Sequence, residues 1–136
     1  MEIDDIVEAI SIKLHNTFGS SYKKYIDEVP QGFEEPCFFI QFLNLEEFNR
    51  LGQRWRVHTF FNVQYFGDNA RNMTLKVQRA LDIVELLNGQ LMRSTSKNSE
   101  VVDGVAHNFM NFNFTLAEVE AKEFMESMSY RGVTYE

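Results

Sequence analysis

The sequence predicts an α+β fold in which two helices pack on one face of an antiparallel β-sheet of about four to five strands. Apolar residues recur every three to four positions in two segments, which is helical spacing, and alternate with polar residues in several others, as in strands. The order along the chain is helix, strands, helix, strands. With 136 residues, 44% of them hydrophobic, the chain suits one domain with its own core. We expect that domain at residues 1–118 and a C-terminal arm or tail at residues 119–136.

The first helix is predicted over residues 3–18. Asp4 and Asp5 lie at its positive N-terminal end, and Gly19 follows as a helix-ending residue. The apolar stripe that defines this helix consists of Ile3, Ile6, Val7, Ile10, Leu14 and Phe18.

The second helix is predicted over residues 69–88, from an N-cap at Asp68 to a closing glycine at Gly89. Its apolar stripe consists of Met73, Val77, Leu81, Val84 and Leu87.

Two strands are predicted between the first helix and residue 43. YKKYIDEV is a short strand whose lysines suit a sheet edge, where charge discourages pairing with another chain. CFFIQFL, after Pro36, is apolar on both alternating sets of positions, as in a central strand. Phe38, Ile40 and Phe42 should share one face.

WRVHTFFNVQYF alternates cleanly and predicts a half-buried antiparallel strand. The segment before it, NLEEFNRLGQ, is expected to be a long hairpin arm or a loop, in which Phe48 and Leu51 need a partner. Asp103-Gly104 predicts a two-residue hairpin turn between two further strands. The side chains expected to face the helices are Phe38, Ile40, Phe61, Phe112 and Phe114.

No catalytic, cofactor or metal site is predicted. His15, His58 and His107 are far apart in sequence and lack the short spacing of metal ligands. Cys37 lies in an apolar strand, where burial makes a thiol inert. None of the seven glycines belongs to a phosphate-binding motif, and the paired acids suit a solvated surface among twenty Asp and Glu residues.

The formal net charge of −7 argues against sequence-specific nucleic-acid binding, because it repels a phosphate backbone. A single cysteine allows no internal disulfide, and no apolar stretch reaches the length of a membrane span. The acidic N-terminus lacks the basic start of a secretory signal. We therefore expect no membrane partner and a cytoplasmic site of synthesis.

The C-terminal tail follows neither helical nor strand periodicity, yet it is rich in methionine and aromatic residues. It is either a frayed end or a contact arm, and we favour the contact arm because a solvated tail has no need of these side chains. The residues expected at protein interfaces are Phe48, Leu51, Arg54, Arg56, Phe124, Met128, Tyr130 and Tyr135. Arg54 and Arg56 either complement the acidic face of the first helix or are simply solvated strand residues.

Three further segments are distinctive when taken together: EVPQGFEEPCFFIQF, the strand ending VQYF, and EVVDGVAHNFMNFNFTL. They resemble a family of small phage and prophage proteins described as tail terminator or minor tail structural proteins, and the resemblance runs across residues 3–116. Its most particular element is a Gly-Phe-x-x-Pro-x-Phe-Phe pattern at Gly32, Phe33, Pro36, Phe38 and Phe39.

The resemblance implies a structural, non-enzymatic protein that is assembled in the bacterial host cytoplasm and ends in the virion tail or neck. Its copies would form a ring, expected to be a hexamer, that caps the tail tube and meets the head. The implied partners are other copies of the chain, the tail tube protein and the head-tail connector protein. The competing hypothesis is a small-molecule-binding or enzyme-accessory domain whose phenylalanines line an apolar pocket.

Overall fold

The helices and strands follow the order that the sequence predicts. The computed structural model describes residues 2–49 and 54–117. The elements are α1 (Ile3–Phe18), β1 (Lys23–Ile26), β2 (Cys37–Asn49), β3 (Arg54–Phe66), α2 (Ala70–Ala80), β4 (Ile83–Glu85), β5 (Leu91–Val102) and β6 (Val105–Ala117). The strands form one sheet in the order β1-β2-β3-β6-β5-β4.

Helix α1 has the predicted bounds, and its ends show why. At the start, the backbone N–H of Glu2 donates to the Asp5 carboxylate at 2.8 Å, which satisfies one of the free donors of the first turn. At the end, Gly19 has a φ of 100°, a conformation that favours glycine, and its N–H donates to the His15 carbonyl.

One hydrophobic core lies between the helices and a single face of the sheet. Ile6, Ile10 and Leu14 of α1 and Val77 of α2 are fully buried in it. The five core side chains predicted to face the helices are all buried, which confirms the face assignment. Phe42 is partly buried and packs against the same core, so it shares a face with Phe38 and Ile40 as predicted.

The last two strands are joined as predicted. Asp103 and Gly104 have φ angles of 51° and 78°, and Val102 pairs with Val105 on either side of them. A two-residue hairpin turn of this type requires a positive φ at both central residues, and the Asp-Gly pair favours it for that reason. The first strand of this hairpin, β5, begins at Leu91.

The predicted sheet was wrong in strand number and in one pairing. It has six strands, and β1 pairs with β2 in parallel. After β1 the chain returns through residues 27–36 before β2 begins, so both strands run in the same direction. The N–H of Asp27 then donates to the Ile40 carbonyl at 3.1 Å. The prediction that β1 lies at a sheet edge is confirmed.

The predicted second helix was wrong beyond Ala80. Asp82 instead bonds to β5, where its carbonyl accepts from the Ser94 N–H at 2.8 Å and its carboxylate pairs with Lys97. β4 follows, so Val84 and Leu86 are buried with strand periodicity and Leu87 is 75% exposed. Gly89 closes the β4–β5 turn.

The helix start also differs, since the N-cap residue is Asn69 in a left-handed conformation rather than Asp68. The Asp68 carbonyl accepts a hydrogen bond from the Tyr65 hydroxyl at 2.8 Å.

Candidate interaction surface

The β2–β3 hairpin carries an arm, which we define as residues 43–49 of β2 with residues 54–60 of β3. β1 pairs only with the first four residues of β2, so the rest of β2 forms a sheet edge within the described residues. A bulge between Phe42 and Asn44 shifts the register by one residue. Because the side-chain period of a strand is two, the shift turns Asn44, Glu46 and Phe48 to the face opposite the helices, which we call the outer face. For residues 44–49 the interpretation as a long hairpin arm is correct, and residues 50–53 lie outside the described residues.

Phe48 and Arg56, both predicted as interface residues, lie directly opposite each other in the arm. Phe48 is 47% exposed, and its ring centroid is 5.1 Å from that of His58. Arg56 donates through Nε to the His58 ring at 3.4 Å and through Nη1 to the Thr115 hydroxyl at 3.4 Å. These contacts hold the guanidinium against His58, whose ring also contacts that of Phe48, so the arm presents an apolar anchor with a positioned charge.

The other predicted interface residues are divided between the arm and undescribed parts of the chain. Arg54 is exposed at the start of β3, opposite Ala117 of β6. The remaining ones lie outside the described residues: Leu51, Phe124, Met128, Tyr130 and Tyr135. The predicted arm over residues 119–136 lies outside them as well.

The outer face of β3 and β6 carries a band of amide and imidazole side chains. Asn62 Nδ2 lies 3.2 Å from His107 Nδ1, and Asn113 Nδ2 donates to the Thr95 hydroxyl at 3.1 Å. The Oδ1 atoms of Asn62 and Asn113 are buried and have no hydrogen-bond partner among the described residues. The alternation of the strands does not reveal this burial, because the sequence does not show how closely neighbouring strands enclose these positions.

A second exposed apolar patch lies between α1 and the β4–β5 hairpin, and the sequence interpretation missed it. Its cavity of about 410 Å³ is lined in part by Ile12, Ile83 and Leu91. Leu91 is 65% exposed and Ile12 is 39% exposed. No sequence signal indicated it, because its lining comes from α1 and from a hairpin about seventy residues later in the chain.

One free cysteine, Cys37, is buried at the start of β2. Burial, followed by the nearby Glu35 charge, raises the pKa of the Cys37 thiol to about 11, which leaves it protonated and inert at neutral pH. No group of three or more His, Cys, Asp or Glu side chains in residues 2–49 and 54–117 is arranged to hold a metal ion. None of the helices within these ranges is long and apolar enough to cross a membrane.

A further cavity, of about 430 Å³, opens where the start of α2 meets the first strands. It is lined mainly by polar and tyrosine side chains: Tyr22, Glu35, Pro36, Tyr65, Gly67, Asp68, Asn69, Met73 and Lys76. No phenylalanine lines it, and Phe38, Phe61 and Phe112 are instead fully buried in the core. The hypothesis of a phenylalanine-lined pocket therefore gains no support from this cavity.

Comparison with known families decides the class of protein. A family model described as phage tail terminator protein matches residues 5–124. The chain belongs to the phage tail terminator family. The resemblance seen in the sequence is thereby confirmed. Among curated proteins, none matches the chain.

Membership identifies the chain as a structural protein of a phage tail, with its place in the virion tail or neck. Its partners are other components of the tail or head. A structural family of this kind indicates a non-enzymatic role.

Proposed function

We propose that this tail terminator forms a ring, hexameric in the assembled particle, that caps the finished tail tube and joins it to the head connector. Family membership supports the location and the structural role. The observation that carries the proposal is the hairpin arm with Phe48 exposed beside Arg56. An aromatic anchor next to arginine is the composition found at the centres of protein interfaces.

The arm is suited to contact another subunit because both its position and its side chains are fixed. It continues the ladders of β2 with β3 and of β3 with β6, so it needs little further ordering when it binds. Arg54 forms no ion pair with an acid in the part of the chain that the structure describes. A ring requires two different complementary patches on each subunit, and the arm provides one of them.

The C-terminal residues 119–136 are proposed to be a second contact arm, attached to a domain at residues 1–118. The argument rests on composition, since Phe124, Met128, Tyr130 and Tyr135 stand in a segment with no periodic core position. Such side chains are stably buried only against something outside the domain. A chain that ends at residue 118 should fold cooperatively and yet fail to assemble.

Electron microscopy of phage particles that lack this gene tests the function. Overlong tails that are not attached to heads are expected, because nothing would stop tube growth or present a surface to the connector. Normal tails joined to heads would refute termination.

Complementation of the deletion by plasmid-borne variants tests whether the function depends on the arm. The Phe48→Ala, Arg54→Glu double variant should fail to restore tail length, whereas Leu75→Ala should restore it. Leu75 is a matched control because it is an exposed apolar residue on α2, away from the arm. Both variants should melt close to the wild-type temperature, since no changed side chain is buried. Full restoration by the arm variant would remove the arm from the proposal.

A truncated chain ending at residue 118 tests the second contact arm separately. Cooperative unfolding combined with loss of complementation supports the proposal. Loss of folding would show instead that the tail belongs to the core, and normal complementation would show that it is dispensable.

A further inference from the structure

The outer face of β3 and β6 has buried hydrogen-bond acceptors that lack donors. Asn62 is only 5% exposed, and while its Nδ2 faces His107, its Oδ1 has no hydrogen-bond partner among the described residues. The Oδ1 of Asn113 is also buried without a partner there. Nearly all buried polar atoms in folded proteins are hydrogen-bonded, because an unpaired one is unfavourable. The two oxygens therefore require donors that the described residues do not provide.

Aromatic rings lie beside these two oxygens on the same face. Phe60 is half-buried and lies directly opposite Asn111. Asn62 follows Phe60 two residues later in β3, and Asn113 comes two residues after Asn111 in β6. Phe109 lies directly opposite Asn62. Both helices pack on the other face of the sheet, so neither covers these rings. The surface suits a partner that brings an aromatic ring together with a hydrogen-bond donor, as tyrosine does.

Charge contributes little to the choice of partner for this face. Arg54 and Arg56 of β3 are balanced on the same face by Glu46 of β2 and Glu100 of β5. No carboxylate lies on the outer face of β3 or β6 themselves within the described residues. Hydrogen bonds and ring contacts must therefore supply the specificity of binding here.

The second contact arm, residues 119–136, has the required chemistry and length. It contains Tyr130 and Tyr135, each of which combines a ring with a hydroxyl donor. When extended, these residues reach about 60 Å, since each adds about 3.3 Å. A sheet of six strands is about 24 Å wide, since neighbouring strands are about 4.8 Å apart. The segment is therefore long enough to cross the sheet of another subunit.

The origin of this segment favours the next subunit over its own. β6 runs from Val105 to Ala117, so the chain leaves the sheet in the direction that leads away from Asn62. To return to its own outer face, the chain must reverse soon after Ala117. Residues 118–126, EVEAKEFME, contain no Gly, Pro, Asn, Asp or Ser, which are the residues that favour turns.

We infer that the second contact arm of one subunit docks on the outer face of the next. The rings of Tyr130 and Tyr135 pack against Phe60. Their hydroxyls donate to the Oδ1 atoms of Asn62 and Asn113. This inference rests on the proposed contact arm and identifies both its partner, a second copy of this chain, and the surface that receives it.

Cysteine cross-linking between chains of two sizes tests this docking. Ser129→Cys places a thiol next to Tyr130, and Asn44→Cys places one on the outer face, where Asn44 is exposed directly opposite Phe60. The two single variants, of which one carries a size tag, are co-expressed, treated with a short bismaleimide and separated on a denaturing gel. A band with the mass of one tagged and one untagged chain reports contact between copies. Cys37 does not interfere because it is fully buried, and the wild-type chain serves as the blank.

Two further samples complete the design. In the matched control, Asn72→Cys replaces Asn44→Cys and places the thiol on an exposed position of α2, on the helix side of the sheet. The Asn44→Cys, Ser129→Cys double variant reports docking within one subunit, because an internal cross-link makes the denatured monomer migrate faster. Light scattering records self-association before the cross-linker is added. Where the purified chain is a monomer, the same variants are cross-linked in tails assembled in cells.

The inference predicts a mixed band for the pair with Asn44→Cys and only background for the pair with Asn72→Cys. Adding Phe60→Ala to the Asn44→Cys chain should reduce the band at least about tenfold while unfolding stays cooperative, because Phe60 lies outside the core. Changing both Tyr130 and Tyr135 to Phe keeps the rings and removes the hydroxyls, so the band should fall roughly three- to tenfold.

Different failures lead to different conclusions. Self-association without the mixed band, or with equal bands from the control, would overturn the docking while leaving the ring intact. An internal cross-link without the mixed band would show that the segment lies on its own subunit, which overturns the inferred partner. An unchanged band after both Tyr→Phe changes would overturn the role of the hydroxyls. Absence of self-association both in solution and on tails would overturn the ring as well.

Discussion

Replacing Phe61 with alanine tests the arrangement of the core most directly. Phe61 is fully buried, and its ring contacts those of Phe42 and Phe112 edge-on, with centroid distances of 5.6 and 5.9 Å. Loss of a buried phenylalanine costs about 3 to 5 kcal/mol. Each ring pair is worth roughly 0.5 to 1.5 kcal/mol beyond its burial, so we expect the upper half of that range. A domain of this size is stable by only about 5 to 15 kcal/mol, so the loss is a large fraction of the whole.

Urea unfolding followed by Trp55 fluorescence measures this loss. Trp55 is the only tryptophan of the chain and packs partly buried against the core, so its emission reports unfolding. Thermal unfolding should show a melting temperature lower by roughly 12 to 20 °C for a loss of about 4 kcal/mol. The matched control is Phe60→Ala, which removes the same side chain from the outer face, where it is half-buried. If Phe60→Ala cost as much as Phe61→Ala, the face assignment would be refuted.

Three further changes test other parts of the fold. Gly67→Ala should cost about 1 to 3 kcal/mol in urea titrations, because φ is +154° and an added Cβ would lie 2.6 Å from the Tyr65 hydroxyl oxygen. Asn108→Asp should destabilise strongly near pH 7 and much less near pH 4, as measured by urea titration at each pH. Asn108 is fully buried and donates to the Val63 carbonyl, so a carboxyl there has a raised pKa, and stability falls as the pH rises through that value. The Cys37 thiol should resist alkylation near pH 8 in the native protein and react in urea, since burial raises its pKa to about 11.

A specific outcome would contradict each of these three predictions. Gly104→Ala separates backbone strain from collision, because Gly104 has a positive φ but an added Cβ would meet nothing within 4 Å. Equal losses from the two glycine variants would show that Tyr65 moves aside freely. A loss from Asn108→Asp that does not change with pH would show that water reaches the carboxylate. Rapid native alkylation of Cys37 would show that the start of β2 opens.

Much of the secondary structure was predictable because its determinants are local. Three predictions that depend on residues a few positions apart were correct: the apolar stripe of α1, the alternation in β3 and the Asp103-Gly104 turn. The end of α2 was not predictable in this way. Leu81 and Val84 are buried in the observed fold, and their spacing also fits a helix. Only the bonds of Asp82 to β5 decide between a helix and a strand here.

The candidate site was predictable in part. Phe48 was selected because it stands in a polar segment, and Arg54 and Arg56 because they share one face of an alternating strand. Their role at an interface stays a prediction. The arrangement of these residues was not predictable, because the bulge after Phe42 decides which face of the sheet Phe48 occupies. The exposed apolar patch between α1 and the β4–β5 hairpin was missed altogether, because it joins residues some seventy positions apart in the chain.

The sequence by itself therefore determined the bounds of α1, the alternation of β3, the side chains that face the helices from the sheet, and the family to which the chain is similar. Those properties follow from the 3.6- and 2-residue periods and from local turn chemistry. Only the tertiary structure decided the parallel pairing of β1, the outward direction of Phe48 and the exposure of Leu91. Each of these depends on which strands become neighbours and in what register. Arg56, for example, reaches the Thr115 hydroxyl across 59 positions of sequence. Register between strands is a long-range choice, and a shift of one residue reverses every side chain beyond it.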